Sequence, residues 1–267
     1  GMWKSTLRRW QREGVGEGNR PPEYAGRDRI AKCGVDFWML PRMEEKILEE
    51  DGTYITKRTD RGAVERVLKS ADEMSMPQHL EYPVRKPEDW ARLKHRFNPD
   101  DPGRFPADWD ERLERWKREA PPLILQGPQS PSLFGFVREL LGPERALTAF
   151  YDEPALVHDM MECITEFFLV LIPKVLEQAP VTSVWWWEDM AYRSGSLLSP
   201  AMFREFMLPR YRRVTEVIRG HGIDVIMVDS DGDVTELIPL WLEAGINGVY
   251  PMEVAAGMDV VALRKQY

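Results

Sequence analysis

Acidic side chains follow three apolar runs in the second half of the chain, at the point where each run ends. Because the carboxyl ends of parallel strands meet on one face of a β/α fold, we expect these side chains to converge there. Clustered carboxylates can ligate a hard divalent cation, or they can hold one carboxyl protonated for acid–base catalysis. The carboxylates are Glu188 and Asp189 after residues 181–187, Asp229 and Asp231 after residues 223–228, and Glu253 after residues 246–250.

Glu188, Asp229 and Asp231 are the candidate catalytic residues. Glu188 stands several residues before the next predicted helix, so helix capping does not explain it. Asp231 has an alternative role, since it or Asp233 could cap the helix predicted from Val234. Asp229 and Asp231 are also the candidate metal ligands, and the spacing does not separate metal binding from acid–base work.

Further polar and aromatic residues at the same strand ends are candidates for binding a substrate. In the run Trp185-Trp186-Trp187, the first and third indoles share one face of a strand and the second takes the other. These indoles either pack the core or form an aromatic wall of a ligand pocket. The candidate substrate-binding residues are Gln126, Trp187, Asp189, Tyr192, Ser230 and Glu253.

The elements that position these residues are clearest after residue 121. Short apolar runs alternate with helical patterns that end at glycine, which is typical of parallel β/α units. Ser199 precedes Pro200 and Asp152 precedes Pro154, and both serine and aspartate are expected helix caps. The predicted strands are 122–126, 181–187, 223–228 and 246–250, and the predicted helices are 132–141, 144–150, 152–176, 199–220, 234–243 and 259–266.

The first 120 residues are irregular, with charges, prolines and tryptophans interleaved. We predict one structural domain overall, with an irregular part at 1–120 that carries early barrel elements and surface helices, and central β/α barrel units at 121–267. The α/β pattern favours a (β/α)8 barrel, yet it supplies too few strands, so we expect an incomplete barrel. The expected early elements are a strand at 35–40, a helix at 44–51, a hairpin at 53–67 and helices at 87–97 and 109–119.

Composition excludes several classes of partner. The net charge of −8 and the pI of about 5.3 argue against nucleic acid. No apolar run approaches the length of a membrane span, so no membrane contact is expected. The two cysteines, Cys33 and Cys163, have no metal-ligand spacing, and the start has no signal-peptide pattern. These features predict a cytoplasmic protein. The polar residues at the strand ends predict a small-molecule substrate.

Several stretches of the chain resemble the uroporphyrinogen decarboxylase (URO-D) superfamily. The resemblance implies a (β/α)8 barrel whose last two strands would lie beyond Tyr267. That superfamily includes porphyrinogen decarboxylases, which need no cofactor, and zinc-dependent corrinoid or coenzyme M methyltransferases. The matching stretches are Glu188–Tyr192, Leu198–Pro209, Val228–Asp233 and Pro251–Asp259. The likeness continues upstream through Gly142–Asp159 and, more weakly, to the N-terminus.

This sequence departs from the family pattern at several positions, which limits the activities that the resemblance implies. The decarboxylases carry an Arg-Gln-Ala-Gly-Arg motif near the start, where this chain has only Tyr24–Arg27. They also carry an aspartate after the second strand, and here the run 35–40 continues into Pro41-Arg42 instead. The methyltransferases bind zinc through a His-x-Cys pair and a later cysteine. Asp229 and Asp231, flanking Ser230, occupy the corresponding positions.

Three hypotheses follow. The first is a decarboxylase-like enzyme, distinct from true uroporphyrinogen decarboxylase, that needs no cofactor and acts on a small carboxylated, methylated or tetrapyrrole-like molecule. The second is a methyltransferase with one divalent metal ion and a corrinoid protein as partner. The third is a non-catalytic barrel that binds a ligand. The family also favours a homodimer.

Overall fold

The computed structural model of the protein describes residues 4–14, 30–69 and 76–267. The chain divides into two compact units, residues 1–31 with 42–83 and residues 32–41 with 84–267. The predicted change of organisation at residue 120, within one structural domain, stays a prediction.

The helices and strands of the described residues are numbered in chain order. The helices are α1 (Lys4–Arg12), α2 (Pro87–Leu93), α3 (Trp109–Glu119), α4 (Phe134–Leu141), α5 (Pro143–Asp152), α6 (Pro154–Leu176), α7 (Leu208–Gly220), α8 (Ile238–Glu243) and α9 (Val260–Gln266). The strands are β1 (Ala31–Lys32), β2 (Lys46–Glu50), β3 (Tyr54–Arg58), β4 (Val64–Leu68), β5 (Gln78–Glu81), β6 (Leu123–Leu125), β7 (Ser183–Trp187), β8 (Ala191–Tyr192), β9 (Gly195–Ser196), β10 (Val225–Asp229) and β11 (Gly248–Tyr250). A short helical turn (Pro200–Met202) and a π-helix (Phe203–Met207) lead into α7.

Helices α2 and α3, both predicted from the sequence, pack within the larger unit. The indole N–H of Trp90 in α2 donates to Asp159 at 2.7 Å, and that of Trp109 in α3 donates to Gln178 at 3.0 Å. Both acceptors lie on or just after α6. These indole contacts to α6 and its end explain why the boundary between units falls before α2.

The smaller unit contains an antiparallel sheet of order β2-β3-β4-β5. The predicted hairpin at 53–67 is confirmed as β3 and β4. The helix predicted at Glu44–Asp51 is wrong, because Lys46–Glu50 forms β2 and pairs with β3 from Lys46 opposite Arg58 to Glu50 opposite Ile55. Backbone pairing with β3 overrides the helical preference of this charged and exposed segment.

The larger unit contains the sheet that carries the candidate site, with strand order β1-β6-β7-β10-β11. Strands β6, β7, β10 and β11 pair in parallel, which confirms the four strands predicted after residue 121. The fold is therefore α/β with a parallel sheet. Within the described residues β1 and β11 are the outer strands, so closure into a barrel stays a prediction.

The strand predicted at Val35–Leu40 is wrong, since the chain leaves the sheet after β1. The buried guanidinium of Arg104 donates to the backbone carbonyls of Asp36, Trp38 and Arg96. An arginine side chain therefore satisfies carbonyls that a strand neighbour would otherwise bind. The apolar residues of this segment, Phe37 among them, are buried without forming a strand.

Helices cover one face of the parallel sheet. Trp186 of β7 is fully buried and its ring contacts those of Phe168 in α6 and Tyr211 in α7 at 5.5 and 5.3 Å. The predicted cap at Asp152 is wrong, because Asp152 ends α5 and Glu153 precedes α6, with its carboxylate bound to Arg145 instead.

The Ser199 cap is confirmed by a hydrogen bond from the Met202 N–H to its hydroxyl at 3.2 Å. No helix in the described part of the chain is long and apolar enough to cross a membrane.

Candidate active site

The carboxyl ends of β7, β10 and β11 lie side by side at one end of the parallel sheet. We call this end the strand-end face. The register places Asp229 of β10 beside Trp187 of β7 and Tyr250 of β11. The backbone N–H groups of Glu188 and Asp189 both donate to the carbonyl of Asp229, at 2.9 and 3.3 Å. Three successive strands therefore bring their terminal residues together.

Ser230 fixes the loop that follows β10. Its backbone N–H donates to the carbonyl of Tyr250 at 2.9 Å, and its buried hydroxyl accepts the N–H of Met190 at 2.9 Å. One residue thus ties β10 to the ends of both neighbouring strands. These bonds occupy the Ser230 side chain, so a substrate-binding role for it stays a prediction.

Gly232 brings the same loop against β8. Its backbone has a φ of +87°, and a Cβ atom would lie 2.6 Å from the carbonyl oxygen of Tyr192, so only glycine fits without rearrangement. The Gly232 N–H donates to the Glu253 carboxylate at 2.8 Å, and the next N–H, that of Asp233, donates to the Tyr192 carbonyl at 2.9 Å. Glu253 is therefore held at the strand-end face by the loop.

Four carboxylates form what we call the acidic cluster: Asp189, Asp229, Asp231 and Glu253. Partial burial raises the pKa of Asp229 to about 6, and the charges of Asp189 and Asp231 act in the same direction. A hydrogen bond donated by the Tyr250 hydroxyl opposes that rise. Partial desolvation also raises the pKa of Asp231, with Asp189 and Glu253 adding to it. Asp229 is thus a carboxyl that exchanges its proton near neutral pH.

Tyr250 is a member of the site that the sequence did not single out. Burial raises the pKa of its hydroxyl, as does the charge of Asp229, so it remains a hydrogen-bond donor. Its ring lies 4.8 Å from that of Trp185. The position of Tyr250 at the end of a predicted strand was the available signal.

Glu188 has a different environment from the acidic cluster. Its side chain is fully buried, with Oε1 accepting the Leu133 N–H at 2.8 Å and the Tyr211 hydroxyl. Oε2 accepts the Ser132 hydroxyl at 2.9 Å and the Gly135 N–H at 3.0 Å. Burial raises the pKa of Glu188, while these four donors act to lower it. The contacts favour a role in joining β7 to α4 and α7, and its catalytic role stays a prediction.

The tryptophan run follows the expected alternation of strand faces. Trp185 and Trp187 are half-buried, whereas Trp186 packs under the helices. The guanidinium carbon of Arg138 lies 5.2 Å from the centre of the Trp187 ring. Trp185 and Trp187 are therefore available as an aromatic wall, and Trp186 belongs to the core.

Arg138 also lies at this face, although no local sequence pattern indicated it. Its Nη2 donates to Oδ2 of Asp189 at 3.2 Å. Asp189 has a φ of +46°, a left-handed conformation that is uncommon for residues other than glycine and concentrates at functional sites. The contact depends on how α4 packs on β7, which local sequence does not encode.

The remaining predicted substrate-binding residues lie at the edge of this arrangement. Gln126 follows β6, and its amide donates to the Ser130 hydroxyl at 2.9 Å. The side chain of Tyr192 on β8 is exposed. Their roles stay predictions.

The described residues contain no preformed set of three metal ligands. Within residues 4–14, 30–69 and 76–267, no three His, Cys, Asp or Glu side chains lie close enough together to hold a metal ion. Asp229 instead accepts a hydrogen bond from the Tyr250 hydroxyl. The assignment of Asp229 and Asp231 as metal ligands therefore stays a prediction from the sequence.

A model of the family described as uroporphyrinogen decarboxylase (URO-D) matches residues 73–255, more than half of the chain. The chain belongs to the URO-D family. This confirms the resemblance seen in the sequence, which was strongest after residue 121. The Tyr24–Arg27 stretch, where the decarboxylases have their arginine motif, lies outside the described residues.

Comparisons beyond the family model are weaker. No curated protein matches the sequence. Among solved structures, a methyltransferase from Methanosarcina mazei is 16% identical, with a TM-score of 0.49. The match covers 71% of this chain and 52% of that one, so this URO-D family chain spans about half of the methyltransferase's length.

Proposed function

We propose that this URO-D family protein is a decarboxylase-like lyase that acts on a small carboxylated ring compound at the strand-end face. The observation that carries the proposal is Asp229, a partly buried carboxyl of the acidic cluster whose pKa is raised to about 6. An acid poised near the working pH is what general acid catalysis requires.

The chemistry needs one proton donor and no electron acceptor. The bond between the ring carbon and the substrate carboxylate breaks, CO2 leaves, and the electron pair remains on the ring carbon. The proton of the Asp229 carboxyl then passes to that carbon, leaving a carboxylate. The Tyr250 hydroxyl, which donates to Asp229, stabilises the carboxylate that results.

We expect the substrate to differ from uroporphyrinogen. The sequence lacks the arginine motif by which the decarboxylases of the family hold the carboxylates of that substrate. A smaller carboxylated ring needs fewer cationic side chains to bind it.

An assay of CO2 release tests the proposal. The panel comprises uroporphyrinogen, pyrrole-2-carboxylate and hydroxylated benzoates, with release followed from carboxyl-labelled compounds. We expect release from one of the smaller rings and none from uroporphyrinogen. Tight binding of a ring carboxylate without any release would instead support the non-catalytic barrel.

Metal analysis separates this proposal from a methyltransferase. We expect protein purified without chelator to contain well under one equivalent of any divalent metal, because no described set of side chains surrounds a site. Elemental analysis by mass spectrometry measures this. One equivalent that disappears in the double variant Asp229→Asn, Asp231→Asn would contradict the proposal and favour methyl transfer with a corrinoid partner.

A further inference from the structure

Arg138 presents a partly used guanidinium to the strand-end face. Helical side chains tilt toward the N-terminus of their helix, so Arg138, in the second turn of α4, reaches back toward the strand ends. Within the described residues, its guanidinium contacts the carboxylate of Asp189 and the ring of Trp187. Its Nε is buried without a hydrogen-bond partner, whereas its Nη1, which no other described residue binds, is the donor left for a ligand. The protein therefore leaves part of the donor capacity of this arginine unused.

Charge explains why such a cation matters here. The acidic cluster places four carboxylates at one face, and their charges repel any anionic ligand that approaches. A guanidinium offers planar donors that match a carboxylate, and arginine keeps its charge at any pH where proteins fold. The side chain of Arg138 is 24% exposed. This partial burial strengthens the electrostatic attraction between its guanidinium and a bound carboxylate.

The aromatic side chains near Arg138 indicate which shape of ligand fits the site. Trp187 lies beneath the guanidinium, and Trp185 with Tyr250 forms a second aromatic surface on the same side of the sheet. Planar rings pack favourably against such surfaces. A ligand that satisfies both features is a flat ring bearing a carboxylate.

We propose that Arg138 is the specificity-determining residue of this site, and that it binds a carboxylate of a planar aromatic or heteroaromatic substrate whose ring lies against Trp185 and Tyr250. The inference rests on the proposed function for the place where the substrate binds. It goes beyond that function by naming the residue that recognises the substrate and the class of molecule it selects. Asp189 holds the guanidinium in place before the ligand arrives.

Binding of two matched, unreactive probes tests the inference. 2-Naphthoate carries the carboxylate and 2-naphthamide is its neutral counterpart, and calorimetric titration at pH 7 gives both dissociation constants. For the wild-type protein we expect the carboxylate to bind about tenfold more tightly, as a charge-assisted contact implies. The variant Arg138→Met should bind both probes equally, and Arg138→Lys should keep part of the preference.

Two further variants make the result specific. Arg204→Met removes a charge that pairs with Glu243 at the surface, and it should leave the tenfold preference unchanged. Asp229→Asn should keep the preference even though it lowers turnover, which separates this inference from the proposed reaction. Equal binding of the two probes by the wild-type protein would overturn the inference, as would a preference that survives in Arg138→Met. If Arg138→Met does not fold, Arg138→Lys decides, because it must weaken the preference.

Discussion

Replacing Asp229 by asparagine is expected to lower kcat/KM for CO2 release by about 10²- to 10⁴-fold, the usual contribution of a positioned general acid. Asparagine keeps the size of the side chain and can still accept the Tyr250 hydrogen bond. It cannot deliver a proton to the ring carbon. The loss should appear in kcat more than in KM, since the ring and its carboxylate contact other residues.

The pH dependence of the wild-type rate tests the same role. The pKa of Asp229 is about 6, so the acid form dominates below that pH and declines above it. We therefore expect kcat/KM to fall about tenfold per pH unit above pH 6. The residual rate of Asp229→Asn should lack this limb. A wild-type rate that instead rises through pH 6 would make Asp229 a base.

Asp233→Asn is the matched control, because it removes a carboxylate from the same loop. Asp233 accepts the N–H and hydroxyl of Thr235, and asparagine can keep the bond to the N–H. These bonds lower the pKa of Asp233, so it holds no proton near neutral pH. We expect turnover within about twofold of wild type. An equal loss in both variants would point to a general effect of loop charge and not to Asp229 as the acid.

Asp229→Asn is expected to raise the stability of the fold at pH 8 although it lowers activity. A carboxyl whose pKa is raised on folding contributes stability below its unfolded pKa, and that contribution is lost as pH rises through about 6. At pH 8 the wild-type protein bears this penalty and the asparagine variant does not. After allowance for solvent screening we expect the variant to be about 1 kcal/mol more stable in urea titrations at pH 8. At pH 4 the difference should nearly vanish.

The parallel strands could be predicted because their signals are local. A run such as Ile223–Val228 is apolar along its whole length, as strands covered on both faces are, and glycine ends the preceding helix. Lys46–Glu50 gives no such signal, since its charged residues suit an exposed helix equally well. Its strand conformation comes from pairing with Tyr54–Arg58. Elements stabilised by neighbours close in sequence were therefore predicted more reliably than those that depend on partners.

The same distinction applies to the candidate site: residues that follow a strand could be predicted, and residues placed by helix packing could not. Asp189, Asp229, Asp231 and Glu253 could be named because each follows a strand, and the topology brings strand ends together. Arg138 could not be named, because its place depends on how a helix packs on β7. The environment of Glu188 was hidden for the same reason, since its donors stand about 55 residues before it and 23 residues after it.

Replacing Glu188 by alanine is expected to destabilise the fold by about 3–5 kcal/mol. Four donors point at its carboxylate: the Leu133 and Gly135 N–H groups and the Ser132 and Tyr211 hydroxyls. Alanine leaves all of them without an acceptor in a fully buried cavity. Urea unfolding followed by tryptophan fluorescence measures the loss as a shift of the transition midpoint.

Glu188→Gln and Ser132→Ala are expected to cause smaller losses of folding stability by the same mechanism. Each carboxylate oxygen accepts one backbone N–H and one hydroxyl, and a hydroxyl can reverse its direction whereas an N–H cannot. The amide of glutamine must therefore face a backbone N–H in either orientation, at a cost of about 1–3 kcal/mol. Ser132→Ala removes a single donor and should cost about 1 kcal/mol. If Glu188→Ala instead unfolds at the wild-type urea concentration and loses only turnover, Glu188 acts in catalysis, as its position after β7 first suggested.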